Sequence, residues 1–403
     1  MQLRPLSGIT VVDITTSYAG PYCSMLLADM GAEVIKVEKT KEGDDCRQWG
    51  PPFINGESAW FLSANRNKKS VSLDVFDPKG KKILYQLVEK SDVFIENLKP
   101  DKLDRSGLAY EDINKVNSGI IYCALSGFGL TGPYRNRPGY DLIAQATSGL
   151  MSVTGESNGR PQRVGTAVSD IVTGFIAAFC IASSLLKKEK TGKGELIDTS
   201  LLDVDLALMA PRITSYLADG AEPRPSGGTD SVLVVYQAVR TSDEDIIVAT
   251  GTDSIFRRFC LAIDLPELAE DERFQSNALR RQHRLQLLAL IEQQMLRKPA
   301  VYWLEKLTEH SVPCAPINYL EDVVKDPQIL ARDMIREIQH TAAGPVKIVG
   351  VPWRLGGSSS EFYLPPPLLG EHTEEVLIQK LQMSENELSV LLDAGVIQGR
   401  SKG

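Results

Sequence analysis

The chain has 403 residues, more than one hydrophobic core usually organises, so two domains are expected. Its 43% hydrophobic and 24% charged residues are ordinary for a soluble enzyme, and a formal net charge of −8 with no long basic run argues against a broad nucleic-acid-binding face. Six cysteines without C-x-x-C spacing and four histidines without a paired arrangement read as free thiols in a reducing compartment and as chemistry without a metal.

In chain order, MQLRPLSG leads directly into ITVVDI, with no secretory or transit pattern. Residues 10–14, 33–37, 93–95 and 120–124 read as strands, alternating with helices over 20–30, 78–90 and 109–116. This βαβα order predicts an α/β fold with a parallel, helix-covered sheet. Helices at about 140–150 and 171–188 follow, then a strand over 194–200 and a helix near 200–218. The stretch 171–186 is the longest apolar one and falls short of the roughly 20 residues that a membrane span needs. No membrane partner is expected, and the C-terminal SKG is not a peroxisomal signal. Cytoplasmic location is the reading, and a mature mitochondrial matrix protein would look the same.

The segment DGAEPRPSGGTD (219–230) loses all apolar period and reads as a linker. Beyond it, SVLVVYQAVR and DIIVAT suggest a hairpin, with helices at about 253–263, 278–297 and 300–309 forming a second, smaller α+β domain. MIREIQH and VKIVGVP suggest another hairpin, and short helices are expected at 372–381 and 385–394.

Asp170 stands out. GYDLIAQATSGLMSVTG (139–155) and PQRVGTAVSD (161–170) bring a glycine-rich loop up to this one carboxylate, which then enters an apolar helix. Taken locally, Asp170 is explained as a helix N-cap. Gly127-Phe-Gly129-Leu-Thr-Gly132 matches G-x-G-x-x-G after a strand, but Pro133 and Pro138 follow and no long helix opens on the glycines. A nicotinamide site is therefore not expected, and the glycines are read as shaping a loop.

Blocks along the whole chain resemble the class III coenzyme A transferases, the family of formyl-CoA transferase and carnitine CoA-transferase. They include LSGITVVDITTSYAGPY, GAEVIKVEK, GDDCRQWGPPF, NRNKKSVSLD, DVFIENLKPDKLDRSGL, GFGLTGPYRNRPGYD, TGKGELIDTSLLD and PPPLLGEHT. GDDCRQWGPPF, NRNKKS, VPCAPIN and PPPLLGEHT look most like the branch that moves CoA between succinate and glutarate.

The resemblance implies a Rossmann-like large domain built from both chain ends (1–200 and 331–403) and a small domain over 231–310. Extended linkers at 201–230 and 311–330 would join them, in an interlocked-ring homodimer. It implies that Asp170 is the nucleophile that takes CoA from an acyl-CoA donor, with Tyr140 and Gln145 orienting it or the bound acid. Gly227 and Gly228 would form a loop over the site, or else a flexible linker.

CoA is then a substrate, with no permanently bound cofactor. Its phosphates would meet Lys39, Arg47, Asn97, Lys99, Lys102 and Arg105, for which a solvated charged face is the alternative. A dicarboxylate acceptor needs a further cation, and Arg66, Arg137 and Arg163 are the loop arginines in reach of that role. Two other readings are an α-methylacyl-CoA racemase, disfavoured because Tyr140 stands where that branch carries a histidine, and a CoA-binding protein without turnover.

Overall fold

In the computed structural model, which describes residues 4–357 and 361–399, the chain divides into two units. The first takes in Met1–Leu150, Arg163–Ala221 and Gln328–Gly403. Its elements are β1 (Thr10–Asp13), α1 (Ala19–Asp29), β2 (Glu33–Glu38), β3 (Lys68–Leu73), α2 (Pro78–Glu89), β4 (Val93–Glu96), α3 (Pro100–Ser106), α4 (Tyr110–Val116), β5 (Ile121–Ser126), α5 (Asp141–Thr147), α6 (Val168–Thr191), β6 (Glu195–Ser200), α7 (Leu201–Leu208) and α8 (Ala210–Asp219). The strands lie in the order β3-β2-β1-β4-β5-β6, all parallel, and Ile397–Gln398 adds an antiparallel edge beside β3. This is the Rossmann order, in which the sheet reverses direction of growth between β1 and β4.

Both faces of the sheet are buried, which explains the near-continuous apolar runs of its central strands. Val12, Ile35, Phe94 and Tyr122 pack on one face against Ile83, Leu84 and Leu87 of α2. Val11, Val34, Val93 and Ile121 pack on the other against Leu27 of α1 and Ala177 and Ile181 of α6. Strand β3 escaped the sequence reading because its buried residues include Lys68, Ser70 and Ser72, so no apolar alternation marks it.

Several expected boundaries move for local reasons. Helix α6 runs longer than 171–188 and ends where Gly192 turns left-handed (φ 68°); by length and composition alone it is apolar enough to cross a membrane, but Ser169, Thr173, Gly174, Ala177 and Ile181 are buried in this unit. The helix near 200–218 is two helices, the first capped by Ser200 and the second carrying Pro211 in its first turn. The extended course implied for 201–230 thus begins only after Gly220. The tail forms its hairpin, Ile335–His340 with Gly344–Val349, and the helices Thr373–Leu381 and Glu385–Asp393.

The second unit comprises Met151–Gln162 and Glu222–Pro327. Tyr236–Arg240 pairs antiparallel with Asp245–Ala249, which pairs in turn with Cys314–Pro316. The strand starts later than SVLVV suggests because Val235 sits at φ 60° and bends the chain. Phe256, Phe259, Phe274, Leu287, Ile291 and Trp303 form its core, and the long helix expected over 278–297 breaks at His283. Gly227 and Gly228 belong to this unit, where the Gly227 amide donates to the Gly155 carbonyl (2.9 Å).

The glycines of GFGLTG close a loop. A Cβ on Gly127 would lie 2.6 Å from Gly139 Cα, so the two backbones meet where side chains would keep them apart, and Gly129 and Gly132 take positive φ. Gly127→Ala should cost about 1–3 kcal/mol in urea unfolding through this overlap. Gly165→Ala, with nothing within 4 Å of its Cβ, should stay within about 0.5 kcal/mol.

Candidate active site

A cleft opens at the carboxyl ends of β1, β4, β5 and β6, where the reversal of strand order leaves a crevice. Its walls are Thr16, Ser17 and Ala19 after β1, Asn97–Pro100 after β4, and the Arg135–Tyr140 loop, with Asp170 among them. Its empty space is about 860 Å³ counting the open mouth.

Asp170 is not the cap of α6. The N-cap is Ala167, which has no capping side chain, and Asp170 stands in the first turn. The capping oxygen comes instead from Asp141 of α5: its Oδ1 accepts the Ser169 amide (2.8 Å) and, more loosely, the Asp170 amide (3.4 Å). Gln145 Nε2 donates to Asp141 Oδ2 (2.5 Å), while its Oε1 accepts the Val164 amide (2.9 Å). Gln145 is fully buried, and its side chain meets Asp141 and the loop before α6 without lining the cleft. Asp205 of α7 accepts from the Ser169 hydroxyl (2.9 Å) and the Ser148 hydroxyl (3.4 Å), which holds the other side of that turn.

The Asp170 carboxylate takes no hydrogen bond among the described residues. Burial, then the charges of Asp141 and Asp205, push its carboxyl up to about 7. A part-exposed carboxylate in the first turn of a helix, raised by burial and two like charges, has the chemistry of a nucleophile or a base. Tyr140, at 60% exposure, lines the cleft and is free to meet a ligand.

The candidate cations divide. Lys99 lines the cleft; Asn97 does too, but its side-chain amide clamps the Thr16 backbone from both sides (3.1 and 2.8 Å). Lys39 pairs with Asp45 (2.6 Å), and Lys102 lies over the Phe76 ring (4.0 Å) with its ammonium shifted down by burial and then by Lys39 nearby. Arg105 is exposed, with Nε on the Asp101 carbonyl (2.9 Å). Arg47 departs from the phosphate-binding expectation. Its fork is spent on Glu38 (2.7 and 2.8 Å) and the Pro367 carbonyl (3.0 Å), over the Phe61 ring. Although burial works against ionisation, Arg47 and Lys36 hold the Glu38 carboxyl at about 2.

Arg66 is likewise locked, in a buried pair with Asp29 (2.6 Å) and on the Val349 carbonyl (3.0 Å). Arg137 lines the cleft against the Tyr134 ring, and Arg163 is exposed. Arg135 was not foreseen; it lines the cleft, reaches Asp104 (3.4 Å), and its Nε is buried without a partner among the described residues. Asp141 was also missed, although the i, i+4 spacing to Gln145 in GYDLIAQA marks the pair.

The family described as CoA-transferase family III matches residues 6–373. The human succinyl-CoA:glutarate CoA-transferase is 40% identical over 395 residues, covering 98% of this chain and 90% of its own. The succinate–glutarate CoA-transferase of Agrobacterium fabrum is 38% identical over 381 residues (93% and 95%). The crystal structure of a CAIB/BAIF family protein from Brucella suis superposes with a TM-score of 0.82 at 38% identity, covering 94% of this chain and all of that one.

Two measurements check this geometry. With its carboxyl raised from 3.8 to about 7, Asp170 costs the native state stability progressively as pH rises from about 4 through 7, after which the loss is constant. Asp170→Asn should therefore raise the melting temperature more at pH 8 than at pH 5, and an equal effect at both would refute the shift. Arg66→Ala should cost about 3–5 kcal/mol by leaving Asp29 buried and unpaired. Arg137→Ala should change unfolding by no more than about 0.5 kcal/mol.

Proposed function

This chain belongs to CoA-transferase family III, and from that premise we propose that it moves CoA from succinyl-CoA to a short dicarboxylate such as glutarate, with Asp170 as the nucleophile. The observation that carries the reading is the Asp170 carboxylate standing in the crevice at the carboxyl ends of the strands, in the first turn of α6 and without a hydrogen-bond partner among the described residues. The names of the relatives support the donor and acceptor.

In this mechanism an Asp170 oxygen attacks the thioester carbonyl, the C–S bond breaks, and CoA leaves as thiolate from an acyl-aspartyl anhydride. The thiolate attacks the Asp170 acyl carbon and expels succinate, giving an aspartyl-CoA thioester. The acceptor carboxylate displaces the thiolate to form a second anhydride, and the thiolate then takes the acceptor's acyl group and frees Asp170. Each step trades one activated acyl bond for another, so no outside energy source enters.

The carboxylates around Asp170 assist the first step. Asp141 and Asp205 disfavour the anion but not the neutral anhydride, so acylation relieves a repulsion built into the free enzyme. Tyr140 orients the acyl group or acceptor from the cleft wall, and Arg137 and Arg135 are the cations for a distal carboxylate. Lys39, Lys99, Lys102 and Arg105 serve the CoA phosphates, and Arg47 serves the scaffold. The reading takes the working form as an interlocked homodimer in the cytoplasm, or in the mitochondrial matrix.

Purified protein incubated with succinyl-CoA and a panel of mono- and dicarboxylates should yield new acyl-CoA products by mass, glutaryl-CoA among them. Hydroxylamine should trap a hydroxamate at Asp170, and Asp170→Ala should lose transfer by at least about a thousandfold while staying folded. Near-normal transfer by that variant would remove Asp170 from the mechanism. No transfer to any acid, together with α-proton exchange on a methyl-branched acyl-CoA, would replace the reading with a racemase.

A further inference from the structure

The block GDDCRQWG contains a second acid that the transfer chemistry leaves unused. Asp44 follows β2 and is wholly buried, its Oδ2 paired with the equally buried Lys36 (2.8 Å). Its Oδ1 faces the other way, accepting the amides of Ser17 (2.8 Å) and Cys46 (2.9 Å). Ser17 is a cleft residue with φ 73°, a left-handed conformation that a non-glycine residue keeps only where its surroundings impose it.

Each neighbour in that turn is also held. Thr15 gives its amide (2.8 Å) and hydroxyl (2.6 Å) to Asp13 Oδ1, and its carbonyl accepts from Lys36 Nζ (3.0 Å). Gly20 supplies the room, since a Cβ there would overlap the Thr15 side chain. Thr16 is clamped by Asn97. The turn between β1 and α1 thus owes its course to a buried charge cluster behind it, and its front forms one wall of the cleft that holds Asp170.

We propose that Asp44 is a positioning residue for the transfer reaction: clamped between Lys36 and the Ser17 amide, it imposes the left-handed turn that sets Thr16 and Ser17 on the cleft wall. The inference rests on the transfer reading above. Only a carboxylate meets both demands at once. An Asn at this position either turns its NH2 against the Lys36 ammonium or turns it against the Ser17 and Cys46 amides, so one contact is always lost. Removing the strain at Ser17 should make the hold unnecessary, because glycine adopts φ near +70° without a Cβ penalty.

The test is a double-mutant cycle of Asp44→Asn and Ser17→Gly, with kcat and acyl-CoA KM measured for all four proteins. With Ser17 present, Asp44→Asn should lower kcat by about 10–100-fold, with KM moving less than about threefold. In the Ser17→Gly background it should cost less than about threefold. An equal loss in both backgrounds would overturn the proposal, since a general loss of stability does not depend on residue 17.

If Asp44→Asn does not fold, Lys36→Met/Asp44→Ala removes both charges together. Adding Ser17→Gly to that background should restore transfer at least about tenfold, and no gain would overturn the proposal equally. Hydrogen exchange at the Ser17 amide separates this proposal from the functional reading. Should the wild-type protein transfer nothing, the functional reading fails. Exchange at least about tenfold faster in Asp44→Asn would still establish the hold on the turn, and unchanged exchange would end it.

Discussion

The site depends on Asp141 taking the helix amides that a carboxylate at the head of α6 would ordinarily claim for itself. Had Asp170 capped its own helix, hydrogen bonds would have stabilised its anion and blunted it. With the Ser169 amide and, more loosely, the Asp170 amide turned to Asp141, and the Ser169 hydroxyl turned to Asp205, Asp170 is left with burial and two nearby negative charges. Gln145 completes the arrangement by tying Asp141 to the loop that delivers α6. A capping carboxylate and an uncapped one thus sit side by side at the head of α6.

The unit buries several ion pairs. Behind the cleft, Lys36 with Asp44, Arg47 with Glu38 and Arg66 with Asp29 are paired at 2.6–2.8 Å. Such pairs contribute little net stability against apolar substitutes, but each fixes a backbone segment that apolar packing alone would leave free to slide. Among the described residues, the acidic group around Asp170 has no cation of this kind within hydrogen-bonding distance.

Much of the architecture was legible because parallel strands buried on both faces leave apolar runs, and β1, β2, β4 and β5 all did. Strand β3 was invisible since Lys68, Ser70 and Ser72 are buried as polar residues, and the edge strand Ile397–Gln398 is too short to carry a pattern. Asp170 could be found from its loop and its block resemblance. The division of the arginines could not: Arg47, Arg66 and Arg137 look alike as letters, and only the buried carboxylates Glu38 and Asp29, distant or unremarkable in sequence, decide which guanidinium is spent. Ser17 gave no sign of its left-handed backbone, because the groups that hold its turn, Asp44 and Asn97 among them, lie far along the chain.

The edge strand carries a consequence for how the protein is made. A ribosome completes the second unit when residue 327 emerges, whereas the sheet of the first unit lacks its border until residue 398 does. Helix α6, apolar enough to pass for a bilayer-crossing segment, is synthesised some two hundred residues before that border strand. The residues that bury α6, from Leu6 to Leu201, have all been synthesised by then, so this apolar helix can be covered on the ribosome while the β3 side of the sheet still waits for its edge.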